Sequence, residues 1–229
     1  MQDFIKRMNY KFVFFLFIIY YIPWVFVLHS GLLIYFPYDE TGKSRYIKVI
    51  GPAAKKLFGS DWSNTKEIPK ICKYAIIQAE DSEFLNHHGI HWSSILSSIK
   101  ENNRRGKIIS GASTLTQQLV KNAFLSRDKN YFRKSREIIG ALFLNLIYSK
   151  DSQLTWYLNV VEFGPRIYGI DKAAKFYFQK NVSELTRRDC VVLATFLTRP
   201  VYYGNSYKSG QLPLGFQRRF HRIYVAVSN

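Results

Sequence analysis

The ten residues Glu80-Asp81-Ser82-Glu83-Phe84-Leu85-Asn86-His87-His88-Gly89 carry three carboxylates within four positions. Acids are scarce in this chain of 229 residues, 16 Asp and Glu against 33 Lys and Arg, so the cluster stands out. It closes a helical pattern. Pro69 suits a first helical turn, Ile68, Ile71, Ala75 and Ile76 recur at helical spacing, and Gly89 offers a stop. Glu80 therefore falls late in a helix with an apolar face, where partial desolvation would lift a carboxyl toward the range useful for a general base. The alternative is a solvated helix face bearing three acids, and the local sequence leaves both readings open.

Working outward, residues 91–112 are polar and basic, with Lys100, Arg104, Arg105 and Lys107. Their apolar positions are too sparse for a stable core helix, and a mobile basic lobe is the expectation. Thr114-Leu115-Thr116-Gln117 fits a capping box and predicts a helix to about Phe124. A helix from Arg133 through Ile147 is apolar nearly all round and so is expected to be buried. Further helices are predicted at about 151–161, 169–178 and 184–198, punctuated by Gly164, Pro165 and Pro200. With no internal repeat and no run of alternating strands, the fold class is mainly α with room for one short hairpin.

Toward the N-terminus, the 25 residues from Phe12 to Phe36 contain no Lys, Arg, Asp or Glu. As a helix they would span roughly 37 Å, enough to cross a hydrocarbon core of about 30 Å. The run is too long for a signal-peptide core and lacks a small-residue cleavage site, which favours a transmembrane anchor. The expected division is a cytoplasmic N-terminus at 1–11, the anchor at 12–36, a connecting segment at 37–65 and one domain at 66–229, outside the cytoplasm. The formal net charge of +17 calls for an anionic partner. An anchor beside lipid headgroups favours lipid or lipid phosphate, and without zinc-finger spacing or an RNP1-like run, no nucleic acid partner is expected.

Glu137 follows Arg133, Lys134 and Arg136, with Arg133 an i, i+4 neighbour. It reads either as a surface ion pair, or as charge lining a cleft that holds an anionic leaving group or a metal. Cys72 and Cys190 form no zinc-like spacing. They are expected as two buried thiols, with pairing in an oxidising compartment as the alternative.

The motifs occur in an order that resembles the glycosyltransferase domain of peptidoglycan synthases, in its monofunctional membrane-anchored form. Glu80 to Gly89 is similar to the family's E-D-x-x-F-x-x-H-x-G at every fixed position. Gly111-Ala112-Ser113-Thr114-Leu115-Thr116-Gln117-Gln118-Leu119-Val120-Lys121-Asn122 resembles G-G-S-T-I-T-Q-Q-L-x-K-N with one glycine replaced by Ala112. Arg133-Lys134-Ser135-Arg136-Glu137 matches R-K-x-x-E, and Ser149-Lys150, Tyr157-Leu158-Asn159, Gly164, Gly169-Ile170, Ala173-Ala174, Tyr177-Phe178 and Leu185 follow in family order. Asn145 stands where the family usually has an acid and Thr155 where it has a glutamate.

The resemblance implies a lysozyme-like, mostly α domain with a head lobe and a membrane-facing jaw lobe, acting on lipid II and the growing glycan strand. It implies Glu80 as the general base, and Glu137 as an aid to pyrophosphate departure, directly, through a metal or by positioning basic groups. Lys121, Arg133 and Lys134 would supply positive charge to the pyrophosphate, and Ser113, Thr114, Gln117, Gln118 and Asn122 would position substrate. Helix capping is the simpler role for Thr114 and Gln117. Asp81, Phe84 and His87 are expected to be architectural or substrate-positioning rather than catalytic. No organic cofactor is implied, a divalent cation (Mg or Mn) is left open, and membrane lipids and other wall-synthesis proteins are the further partners. Two rivals remain: a lysozyme-like enzyme that cleaves glycan, and a catalytically silent scaffold of a wall-building complex. Tyr202-Tyr203-Gly204-Asn205 and the tail with Arg218, Arg219 and Arg222 carry no transpeptidase signature.

Overall fold

The computed structural model describes residues 67–105, 113–124 and 131–228. The expected anchor at 12–36, the connecting segment at 37–65 and Ala112 lie outside the described residues. Among the described residues, no helix is long and apolar enough to cross a membrane.

The described chain is mainly helical. Helix α1 runs over Lys70–Glu80, and Pro69 stands at its N-cap. The helix stops at Glu80, well before Gly89; Asp81 is its C-cap, and turns carry the rest of the motif to Gly89. Cys72, Ala75, Ile76 and Ile77 form its buried face. That face packs on α7 (Arg187–Phe196), which is buried from Asp189 to Phe196, and α9 (Leu214–Ser228) packs against both. Cys72 and Cys190 are joined by a disulfide with a Cα–Cα distance of 4.6 Å, so the expected pair of free thiols is corrected. That Cys72 faces Cys190 depends on how α1 crosses α7.

A second layer packs α3 (Leu115–Phe124) against α4 (Tyr131–Ile147) and α5 (Lys150–Val160). The helix that is buried all round is α5, where every residue from Gln153 to Val160 is buried. The expectation that α4 is buried nearly all round is overturned: it buries a stripe through Glu137, Ala141 and Leu144, while Leu142 and Leu146 are exposed. Composition misled here because α4 packs on α3 through one stripe, and Leu142 and Leu146 lie outside it.

Residues 92–105 do form a helix, α2 (Trp92–Arg105), although none of its described residues is buried. Local interactions stabilise it. Glu101 pairs with Arg104 at 2.9 Å and with Arg105, and both arginines sit at the end of the helix that favours positive charge. After α5, the short strands β1 (Glu162–Gly164) and β2 (Ile167–Tyr168) make one antiparallel hairpin, and α6 (Ile170–Phe178), a 3₁₀ turn (Val182–Glu184), α7, α8 (Pro200–Lys208) and α9 complete the order.

Candidate active site

Glu80 ends α1, and groups from two other elements hold its carboxylate. Gln118 Nε2 on α3 donates to Oε2 at 3.0 Å, and Arg219 Nη2 on α9 donates to Oε1 at 2.6 Å. The same Arg219 nitrogen donates to the Ala79 carbonyl at 3.0 Å, which ties α9 to the end of α1. The Glu80 and Arg219 side chains are only 13% and 15% exposed. Burial pushes the Glu80 carboxyl above its ordinary range, against the opposing pull of Gln118, Arg219 and Lys121. This is the direction a general base needs to work near neutral pH. A carboxylate offers about four lone-pair positions, so two held oxygens still leave acceptor capacity for a substrate hydroxyl.

Behind Gln118 stands Tyr157 of α5, 1% exposed, whose hydroxyl donates to Gln118 Oε1 at 3.0 Å. On the open side, Glu80 lines a cavity of about 620 Å³ together with Asp81, Glu83, Ser113 and Arg222. Serines 94, 97 and 98, on one face of α2, also line it. The wall is rich in hydroxyls.

Asp81 has a different task. Its Oδ2 accepts from Leu115 N at the start of α3 and from His87 Nε2, both at 2.9 Å, so it caps α3 from the α1 side. Thr114 and Gln117 complete the predicted capping box: Gln117 N donates to Thr114 Oγ1 at 3.2 Å, and Thr114 N donates to Gln117 Oε1 at 2.9 Å. Thr114 Oγ1 also donates to Gly89 O at 2.6 Å. Thr114 and Gln117 are thus buried framework residues that set where α3 begins, and hence where Gln118 points. Phe84 and His87 are buried as well, with the Lys150 ammonium 4.6 Å from the Phe84 ring centroid. Desolvation holds Lys150 down to about 8, against the pull of Asp81.

The second cluster lies on α4. Glu137 is 2% exposed, and both of its oxygens are taken by cations: Arg133 Nη1 at 2.8 Å, and Lys134 Nζ. Lys134 Nζ also donates to Ser113 Oγ at 2.8 Å, which links α4 to the residue before the α3 cap. Although the Lys121 side chain on α3 reaches solvent, the protein packed around it desolvates the ammonium and pulls it below the ordinary lysine range, helped by Arg133 and Lys134, while Glu137 and Glu80 pull the other way. Lys121 therefore feels both carboxylates and joins the two clusters electrostatically. Asn122 is half-buried beside it. Among the described residues, no group of three His, Cys, Asp or Glu side chains could hold a metal ion. With both Glu137 oxygens on cations, that carboxylate is not a ready-made cation ligand.

Arg219 and Tyr157 were not singled out by the sequence reading. Tyr157 fell within a recognised motif but had no assigned role, and Arg219 lay in an ordinary basic tail. Its partner is 139 positions away, so no local signal marked it.

Residues 48–224, more than three quarters of the chain, match the family model described as transglycosylase. The chain belongs to the transglycosylase family. Similar curated transglycosylases are the biosynthetic peptidoglycan transglycosylases of Acinetobacter baylyi, 33% identical over 76% of this chain and 77% of that protein, and of Acinetobacter baumannii, 37% identical over 62% and 64%. That of Paraburkholderia phytofirmans is 39% identical over 62% of this chain and 59% of its own. The alignment thus spans slightly less than two thirds of the length of the Acinetobacter baumannii relative.

Proposed function

We propose that this transglycosylase is a peptidoglycan glycosyltransferase that polymerises lipid II into β-1,4-linked glycan strands at the outer face of the cytoplasmic membrane, in a domain with head and jaw lobes. The observation that carries the reading is the pairing of a buried, raised-pKa carboxylate on a hydroxyl-lined cavity with a cationic cluster around Glu137. In the reaction, the acceptor sugar's 4-hydroxyl oxygen attacks the anomeric carbon of the growing strand's terminal sugar. Its proton passes to Glu80, and the bond from the anomeric carbon to the phosphate oxygen breaks. The electron pair leaves with undecaprenyl pyrophosphate, and the configuration inverts.

Lys121, Arg133 and Lys134 face the charge that develops on the leaving group, where preorganised donors are worth about 10²–10³ in rate each. Glu137 serves here by fixing Arg133 and Lys134, since its own oxygens are engaged. No step is routed through a metal. The expected transmembrane anchor would present the site to a lipid-borne substrate.

Polymerisation of labelled lipid II by the purified full chain in detergent, with Glu80→Gln in parallel, tests the reading. Long, lysozyme-sensitive glycan from the wild type and none from the variant is the expected result. Shortening of preformed glycan would put a cleaving enzyme in its place, and a folded wild type that makes no polymer would favour a scaffold.

A further inference from the structure

We propose that Tyr157 is a positioning residue for Glu80, which sets through Gln118 how readily that carboxyl ionises. The proposal rests on the glycosyl-transfer reading for its catalytic meaning, and on geometry alone for its effect on Glu80.

An amide side chain has an acceptor end and a donor end of nearly the same shape, so its orientation is fixed only by its partners. At Gln118 the two ends are sorted. The Tyr157 hydroxyl donates to Oε1 at 3.0 Å, and Nε2 donates to Glu80 Oε2 at 3.0 Å. An ionised carboxylate can only accept, so the hydrogen bonds run in one direction, from Tyr157 through Gln118 to Glu80. When Glu80 takes a proton, the reverse order is also satisfied, with the carboxyl donating to Oε1 and the amide donating to the Tyr157 oxygen. One rotation of the amide interconverts the two states.

The two directions are not equal in strength. A hydrogen bond that ends on a charged group is about twice as strong as a neutral one, and donors in a chain polarise one another. Tyr157 therefore supports the ionised state of Glu80 more than the protonated one. Phenylalanine at 157 can neither donate nor accept, so it withdraws that support while keeping the ring that fills the core. Other groups also bear on Glu80. Arg219 on α9 pairs with it, Lys121 on α3 attracts it, and Asp81, Glu83 and Arg222 share its cavity. Helix α7, packed against α1, meets it at Cys190, which the disulfide removes from titration. None of these groups reaches the carboxylate through Gln118, so the relay can be tested separately.

The test is a ¹³C titration of carboxyl-labelled glutamate in the full chain in detergent, with the Glu80 resonance assigned by its loss in Glu80→Gln. Tyr157→Phe is expected to raise the Glu80 midpoint by about 0.2–0.5 pH unit, because the variant loses a partner in both states and only the difference between them moves the midpoint. Gln118→Met should raise it at least as far, and the double variant no further than Gln118→Met alone. Site-specific 3-fluorotyrosine at 157, a stronger donor of nearly the same shape, should lower it, which provides a readout if the phenylalanine variant does not fold. In polymerisation, the acid limb of kcat/KM should move with the midpoint. An unmoved midpoint in both the phenylalanine and fluorotyrosine proteins, or additive shifts in the double variant, overturns the proposal. A shifted midpoint in a protein that makes no polymer sinks the transfer reading and leaves the relay standing.

Discussion

Replacing Arg219 by methionine removes the guanidinium from Glu80 while keeping an unbranched stem to fill its channel. Removing one member of a buried ion pair typically costs about 3–5 kcal/mol, and with both side chains still slightly exposed the low end, about 3 kcal/mol, is expected. For a domain of this size that is a fall in Tm of about 6–12 °C. Loss of a close opposite charge should raise the Glu80 carboxyl further above its ordinary range. The sign follows from its direction in the folded state. Burial already holds Glu80 above its ordinary value, so its contribution to stability is fully present below the ordinary carboxylate range and is lost as pH rises through the raised value. Removing Arg219 moves that loss to higher pH and deepens it. The stability deficit of Arg219→Met should therefore be larger at pH 8 than at pH 5, and the acid limb of the polymerisation profile should shift upward, with Arg219→Lys restoring most of both. Thermal melts across pH, read beside lipid II polymerisation, measure the two effects. A methionine variant that melts with the wild type at pH 8 and keeps its acid limb would refute the assignment of Arg219 as the counter-charge of the base.

Two further outcomes follow from the frame around the site. Gly89 has φ +85°, and a Cβ there would lie 2.6 Å from the Ala141 carbonyl on α4; Gly89→Ala should lose at least about 1–2 kcal/mol from the backbone alone, and an unchanged melting curve by circular dichroism would contradict the packing of this turn on α4. The Cys72–Cys190 bridge spans 118 positions, so the double serine variant should lose about 2–5 kcal/mol. Reductant should lower the wild-type Tm toward that of the variant and leave the variant unmoved, and a reductant-insensitive wild type would argue against the bridge.

The parts of this architecture that depend on local pattern could be read from sequence. Pro69 and the spacing of Ile68, Ile71, Ala75 and Ile76 located α1, and Thr114 with Gln117 located the start of α3 to within a residue, because both signals act within one or two turns of chain. The two clusters around Glu80 and Glu137 were likewise visible as ordered motifs. What could not be read depends on which helix crosses which. Arg219 looks like any other arginine of an amphipathic tail until α9 lies along α1, and Cys190 is an unremarkable buried residue until α7 does. The exposed side of α4 misled for a related reason: Leu142 and Leu146 are apolar, but periodicity does not state how many neighbours a helix has. Helix α2 shows the converse, since side-chain pairs at its end support a helix that buries none of its described residues.

The reach of Arg219 back to Glu80 also has a consequence in time. The guanidinium is made 139 residues after the carboxylate it meets, which at about 5–20 residues per second is an interval of roughly 7–28 s. Throughout that interval the end of α1 exists without its counter-charge, and Gln118 and Tyr157 are added before Arg219. An unfinished chain thus contains Glu80 together with Gln118 and Tyr157 but without its counter-charge, and the pair forms only once α9 has been synthesised and has packed on α1.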